Sequence, residues 1–269
     1  MADTVLYEAT DGLVTVTLNR PEALNALDLP TKEALLAAVR EAAGDPGVRA
    51  VLLAANGRAF CVGQDLGEHA DALAGEAEPG GAGPGGAMRT VAEHYGPIAR
   101  TLAEMPKPVV AAVNGAAAGA GLGFALAADY RVVAAGASFN TAFAGIGLTA
   151  DSGLSWTLPR VVGPARATDL LLFPRRMDAA EAERLGIAQR VVPDAELPAA
   201  AREIAARLAK GPTVAYAALK QALAFAAEHS LAATLDLEAR LQATAGATAD
   251  HRAAVAAFLA KERPTFDGR

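Results

Sequence analysis

The stretch "NGAAAGAGLGFALAAD", Asn114 to Asp129, has no ionisable side chain before its last residue. It continues the apolar run "KPVVAAV", meets Gly115, crosses small residues as far as Gly121, and resumes as "LGFALAAD", a helix-forming segment. Glycine and alanine let a backbone approach a neighbour without a Cβ clash. The first N–H groups of a helix lack intrahelical partners and carry roughly half a positive charge. The stretch therefore reads either as an anion receptor made of main chain or as a close contact between a strand and a helix. A dinucleotide pyrophosphate would need G-x-G-x-x-G, but after Gly119 and Gly121 the third glycine position is Phe124. A P-loop would end in Gly-Lys-Ser/Thr, which is absent. The anion left is one that develops during a reaction and is held by backbone donors.

Outward from this stretch, strand-like and helix-like segments alternate. "LVTVTLN" (Leu13–Asn19) is β-branched and alternating, "VRAVLLAA" (Val48–Ala55) reads as a buried strand, and "YRVVAAGASFNT" supplies a fourth strand and a fifth. Between the first two lies "DLPTKEALLAAVREAAGDP", with Leu35, Leu36 and Val39 at helical spacing and Gly44 and Pro46 closing it. This order predicts an α/β fold with a largely parallel sheet. The chain has 269 residues, 52% hydrophobic and 20% charged, enough for one large domain or a domain with an appendage. From Leu197 onward the sequence is nearly continuous amphipathic helix, which predicts a core over residues 1–196 and a helical packing or subunit-contact region over 197–269. "ALAGEAEPGGAGPGGAM" (Ala72–Met88) is Gly/Pro-rich and reads as a mobile surface loop, either a tolerated insertion or a lid.

Composition excludes several function classes. With 24 Lys and Arg against 30 Asp and Glu, the formal charge is −6, and no basic stripe offers a nucleic-acid surface. One cysteine, Cys61, permits no intramolecular disulfide and no thiol-rich metal site, which fits a reducing cytoplasm and a small buried side chain. The start lacks the basic region of a signal peptide, and no apolar run approaches a membrane span. Ser152 in "DSG" would need an oriented histidine to act as a nucleophile, and His69, His94, His229 and His251 stand in no recognisable motif for that or for zinc. Glu68 and Glu93 flank the Gly/Pro stretch and read as solvated surface charge, the alternative being extra acids if that stretch folds over the pocket.

"GRAFCVGQDL" (Gly57–Leu66) also follows a buried strand and puts Gly63 just before a polar turn, so two such turns at neighbouring strand ends could aim two amides at one oxygen. With "LNRPEALNALD" (Leu18–Asp28), these motifs make the chain resemble the crotonase, or enoyl-CoA hydratase/isomerase, superfamily over essentially its whole length. The resemblance implies a spiral of strand-strand-helix turns with a C-terminal helical region that makes trimer contacts, assembled as a trimer or a dimer of trimers. It implies an acyl-CoA thioester as substrate and no separate cofactor. The main-chain N–H groups of Gln64 and Ala120 would hold the thioester oxygen. Adenine would lie near Val62 and Leu66, and pantetheine along Ala23, Leu24 and Ala26. "AAFLAKERP" resembles the family's closing helix, so Phe258 and Lys261 would reach CoA, often that of a neighbouring subunit; the alternative for Phe258 is an ordinary apolar helix face.

Members that hydrate a double bond carry two glutamates, which fall here on Gly123 and Phe143, neither able to move a proton. A carboxylate appears downstream in "FAGIGLTADSGLSW". Asp151 stands among Ile146, Leu148, Leu154 and Trp156, where an apolar setting would raise its pKa toward that of a working base. It also precedes a helix that it could simply cap. Superfamily members of the 1,2-epoxyphenylacetyl-CoA isomerase type, and dehalogenases acting on 4-chlorobenzoyl-CoA, carry an active Asp at this position. The dehalogenase type pairs it with a Trp that falls on Phe143, which argues against dehalogenation. The resemblance thus implies isomerisation of an enoyl-CoA with Asp151 as sole proton carrier. Hydration of a 2-enoyl-CoA and a non-catalytic acyl-CoA binder are the alternatives.

Overall fold

Asp11 and Gly12, both at positive φ (51° and 78°), close a hairpin between β1 (Val5–Thr10) and β2 (Leu13–Leu18). In this computed structural model residues 3–76, 83 and 85–269 are described. A helix, α1 (Leu29–Gly44), capped at its start by the Asp28 carboxylate on Thr31 N–H at 3.0 Å, leads to β3 (Ala50–Ala55), which lies parallel to β2. The chain then makes a repeated move. After β3 it crosses to a second sheet as β4 (Ala59–Cys61) and enters α2 (Leu66–Glu76). After α3 (Gly96–Glu104) it returns as β5 (Val109–Val113), crosses as β6 (Ala116–Ala118) and enters α4 (Ala120–Ala127). It returns again as β7 (Tyr130–Ala134), crosses as β8 (Ser138–Asn140) and reaches α5 (Leu154–Val162).

The expected spiral is present, and its strand order follows from this rhythm. One sheet runs β1-β2-β3-β5-β7-β10, parallel after the hairpin, and the other β4-β6-β8-β9. The remaining core elements are α6 (Pro164–Leu172), β9 (Met177–Asp178), α7 (Ala179–Arg184), β10 (Arg190–Val192) and α8 (Leu197–Ala209). The four C-terminal helices appear as read, completed by α9 (Thr213–Ala226), α10 (Leu231–Gly246) and α11 (Ala249–Ala260). Yet α8 packs on β3, β5 and β7 and buries Leu197, Ala201, Ile204 and Ala205, so it closes the core. The helices that project begin with α9, none of whose residues is fully buried.

Two features were hidden in the sequence. Ala116–Ala118 form a strand despite alanine's weak β preference, because glycines on both sides admit β4: a Cβ on Gly115 would stand 2.2 Å from Arg58 O, and one on Gly121 2.1 Å from Cys61 O. The crowd of tiny residues is thus required by strand contact. The expected loop Ala72–Met88 is partly regular: Ala72–Glu76 complete α2, since the Ala, Leu and Glu of "ADALAGE" favour helix up to the Pro-Gly run, and Gly86–Met88 form a 3-10 turn. Residues 77–82 and 84, and with them any lid, lie outside the described residues.

Candidate active site

β4 and β6 pair in parallel, Ala59 with Ala116 and Cys61 with Ala117, so the turns leaving their C-terminal ends are neighbours. Gly63 takes φ +88°, and a Cβ there would stand 3.1 Å from Ala118 O and 3.5 Å from Ala120 N. The two glycine-bearing turns therefore touch, and only glycine allows it. Leu27 N–H donates to Gly63 O at 2.8 Å and Asp65 N–H to Leu27 O at 3.2 Å, which leaves the amide between them, that of Gln64, pointing the other way. Among the described residues neither the Gln64 nor the Ala120 N–H donates to a main-chain carbonyl. Gly119 sits at φ +53° before α4, its N–H bonded to Asn140 O at 3.1 Å. Two unpartnered donors at one junction, one at a helix start, can hold a developing oxyanion.

The turn around Gln64 is braced by charge. Arg20 Nη1 donates to Asp65 Oδ2 at 2.6 Å and Arg20 Nε lies 3.2 Å from Asp28 Oδ2. That guanidinium, with the Glu68 and Gly67 amides, holds the Asp65 carboxyl below its ordinary range. Asn25, wholly buried at φ +54°, donates to Asn56 O and Ala59 O at 2.9 Å each and accepts from Arg20 N–H at 2.8 Å. It locks the 20–27 turn that carries Ala23, Leu24 and Ala26 against the β3–β4 connection, while the Leu27–Gly63 and Arg20–Asp65 bonds tie the same turn to the one that carries Val62 and Leu66. Leu66, at the first residue of α2, is 61% exposed. These five positions thus stand on two adjoining turns. Phe258 and Lys261 do not join them: α11 packs on α10, Phe258 is 81% exposed, and among the described residues neither hydrogen-bonds to these turns.

Asp151 does not cap α5. Gly153 takes the N-cap position with no side-chain cap, and the Asp151 carboxylate instead accepts from Ser152 Oγ at 2.7 Å. Burial raises its pKa above the ordinary carboxylate value, opposed by the Ser152 hydrogen bond. The apolar setting differs from expectation. Leu154 is buried and Leu148 packs on the core, but Ile146 and Trp156 face outward, Trp156 bonding Glu228 through Nε1 and lying under Arg160. A cavity of about 940 Å³ between α3, α5, α9 and α10 has Ser152 and Gly153 on its wall, so open space reaches the backbone just after Asp151.

Of the two positions that could have carried glutamates, the first has no space for a side chain and the second is filled by an aromatic ring. A Cβ on Gly123 would stand 2.6 Å from Ser152 Cβ and 2.8 Å from Ser152 O. Phe143 is 8% exposed, and its ring edge lies 3.7 Å from where a Gly119 Cβ would be.

Three side chains at the site escaped the sequence reading. Glu68, taken for solvated charge, accepts from Lys32 Nζ at 2.7 Å, from Leu29 N–H at 2.6 Å and from Gln64 Nε2 at 3.3 Å. Lys32 is 2% exposed, and Tyr95, equally buried, hydrogen-bonds through its hydroxyl to Gln64 Oε1. Helical spacing from Glu68 back to Gln64 hints at one of these contacts; the others join residues far apart in sequence. Glu93 is the surface charge expected, paired with Arg89 at 3.3 Å. Cys61 is buried as expected, and burial pushes its thiol up to about 12. Ser152 Oγ points to Asp151, and no histidine pairs with it among the described residues.

The family model described as enoyl-CoA hydratase/isomerase matches residues 8–269. A protein of Rhodobacter capsulatus named probable enoyl-CoA hydratase is 45% identical, the match covering 99% of this chain and 98% of that one. The 1,2-epoxyphenylacetyl-CoA isomerase of Escherichia coli K12 is 40% identical over the full length of both chains. Among solved structures, the enoyl-CoA hydratase/isomerase of Cupriavidus metallidurans superposes with a TM-score of 0.89 at 31% identity, covering 99% of this chain and 97% of that one.

Proposed function

The chain belongs to the enoyl-CoA hydratase/isomerase family, and from that premise we propose that it shifts the double bond of an enoyl-CoA, with Asp151 carrying the proton. The observation that supports this reading is a pair of open amides, Gln64 and Ala120, at one junction in a chain whose two glutamate positions are Gly123 and Phe143. The Asp151 carboxylate takes a proton from the carbon beside the thioester carbonyl. The electron pair moves onto the carbonyl oxygen, where the two amides hold it. It then returns to form the new C=C bond, while the pair of the old C=C bond takes the same proton from the Asp151 carboxylic acid at the carbon two positions further along. One carboxylate suffices because it acts first as base and then as acid. Each oxyanion donor in such a site is worth about 10²–10³ in rate.

Two proton transfers change no oxidation state, so the reaction needs no cofactor beyond the CoA of the substrate. CoA would run along Ala23, Leu24 and Ala26 to Val62 and Leu66. Phe258 and Lys261, turned outward in one copy, would serve a neighbour's CoA within a trimer or a dimer of trimers. Exposed Leu219, Leu223, Leu235 and Leu259 on α9–α11 offer the apolar contact for that assembly. Among the described residues no helix is long and apolar enough to cross a membrane; a cytoplasmic location is part of the proposal, supported by the one cysteine, which suits a reducing compartment. Hydration would need a second proton-handling carboxyl where Gly123 has no space.

Incubation with 3-enoyl-CoA and 2-enoyl-CoA separately tests the reading. Double-bond migration that disappears in Asp151→Asn, with CoA-ester binding retained, is the expected result. Water addition to the 2-enoyl ester would assign hydration instead, and binding without change would leave a non-catalytic holder of CoA esters.

A further inference from the structure

Val91–Tyr95 form a π-helical turn ahead of α3, closed by Gly96 N–H on Val91 O. Such turns are rare and concentrate at functional sites. A Cβ on Gly96 would stand 3.1 Å from Val91 O, so glycine eases the turn. The turn swings Tyr95 inward while Ala92 and Glu93 stay exposed. The ring meets Phe124 of α4 edge-on, centroids 6.2 Å apart, and the Lys32 ammonium stands 5.8 Å from its centroid. The phenol donates to Gln64 Oε1, and Gln64 Nε2 donates to Glu68, whose carboxylate is fixed by Lys32. The Gln64 side chain is thus gripped at both polar atoms by groups from α2 and the π turn, with α1 holding the α2 group in place.

A main-chain donor gives no reason for a particular side chain at position 64, and this grip supplies one. The Gly63–Gln64 peptide follows a glycine at φ +88° and is held by main chain at one end only, Gly63 O accepting from Leu27 N–H at 2.8 Å, so the grip on the Gln64 side chain is its second restraint. Burial and the nearby Asp151 charge raise the Tyr95 phenol above its ordinary range, which keeps it a donor and unfits it as a base.

We propose that Tyr95 is a positioning residue: by holding the Gln64 side chain it fixes the Gly63–Gln64 peptide so that its N–H stays aimed at the oxyanion. This rests on the reading of Gln64 as an oxyanion donor given above. The test uses Tyr95→Phe, Gln64→Leu and the double variant, none of which removes a main-chain amide. Each single variant is expected to lower kcat by about 10- to 50-fold with KM little changed, less than the roughly 10²–10³ lost when a donor is deleted. The double variant is expected to be no slower than the slower single one, because both break one grip. Bound to the wild type, an aryl-conjugated enoyl-CoA should show a red-shifted absorbance from carbonyl polarisation, and Tyr95→Phe should reduce that shift. A full shift and full kcat in Tyr95→Phe, or independent, multiplying losses in the double variant, overturns the inference alone. If Tyr95→Phe does not fold, the shift in Gln64→Leu decides in the same way. No shift and no turnover in the wild type would instead defeat the oxyanion reading, and this inference with it.

Discussion

Adding one methyl group at Gly123 tests the link between packing and chemistry. Gly123 lies one turn into α4, its N–H bonded to Gly119 O at 3.1 Å. An alanine Cβ there would stand 2.6 Å from Ser152 Cβ and 2.8 Å from Ser152 O, against about 3.5–4.0 Å for relaxed carbon contact. Either α4 or the 151–153 turn must give by about 1 Å, a displacement that in an active site can cost about 10²-fold in rate. Ser152 Oγ holds the Asp151 carboxylate, and Ala120 begins the same helix, so either movement separates the base from the oxyanion site. Overpacking costs about 1–3 kcal/mol, offset by about 0.4–1 kcal/mol from the stiffer unfolded chain. The net loss of about 0–2.6 kcal/mol should lower Tm by up to about 10 °C in a chain of this size. The assay is double-bond migration in Gly123→Ala beside a thermal melt, with Gly44→Ala, where a Cβ meets nothing within 4 Å, as control. Gly123→Ala with wild-type kcat and wild-type Tm would refute the claim that this contact sets the base. Gly123→Glu, which would supply the missing carboxyl, should fold worse still and gain no hydration.

The pH profile of kcat/KM should show an acidic limb above the ordinary Asp range, because turnover needs the carboxylate and burial raises the Asp151 pKa; a limb at or below about 3.9 would contradict this. The same shift means the folded state binds the extra proton between the two pKa values, so stability falls as pH rises through that window. Asp151→Asn should therefore keep or raise Tm at neutral pH while abolishing turnover, and a lower Tm would count against a desolvated carboxylate. Asn25→Ala leaves Asn56 O, Ala59 O and Arg20 N–H without their partner; it should cost about 1–3 kcal/mol by denaturant titration and raise KM for the CoA ester. Cys61 should resist a thiol reagent such as Ellman's in the native protein and react once unfolded, since burial pushes its pKa to about 12.

Much of this site was legible from local signals. Gly63 and the small residues from Gly115 to Gly121 mark two turns of close backbone approach, and the structure brings those turns together, with Gly63 and Gly119 at positive φ. The helices α8–α11 follow from apolar spacing alone. What was illegible depends on contacts across the chain. Ala116–Ala118 become a strand only because β4 and β8 flank them, and Lys32 and Glu68 look like solvated charge until α1 and α2 meet. Whether Asp151 caps a helix or faces inward depends on where Ser152 and Gly153 sit, and adjacency in sequence leaves both open.

By itself, then, the sequence determined the rhythm of strands and helices, the glycine turns and the lack of glutamates at positions 123 and 143, because periodicity, φ preference and residue identity are local properties. The tertiary structure alone decided that the two turns touch, that Asp151 hydrogen-bonds to Ser152 and that Tyr95 grips Gln64 from 31 positions away. Those contacts arise from parallel strand pairing and interhelical packing, whose partners are chosen by folding the chain back on itself and leave no trace in the spacing of neighbouring residues.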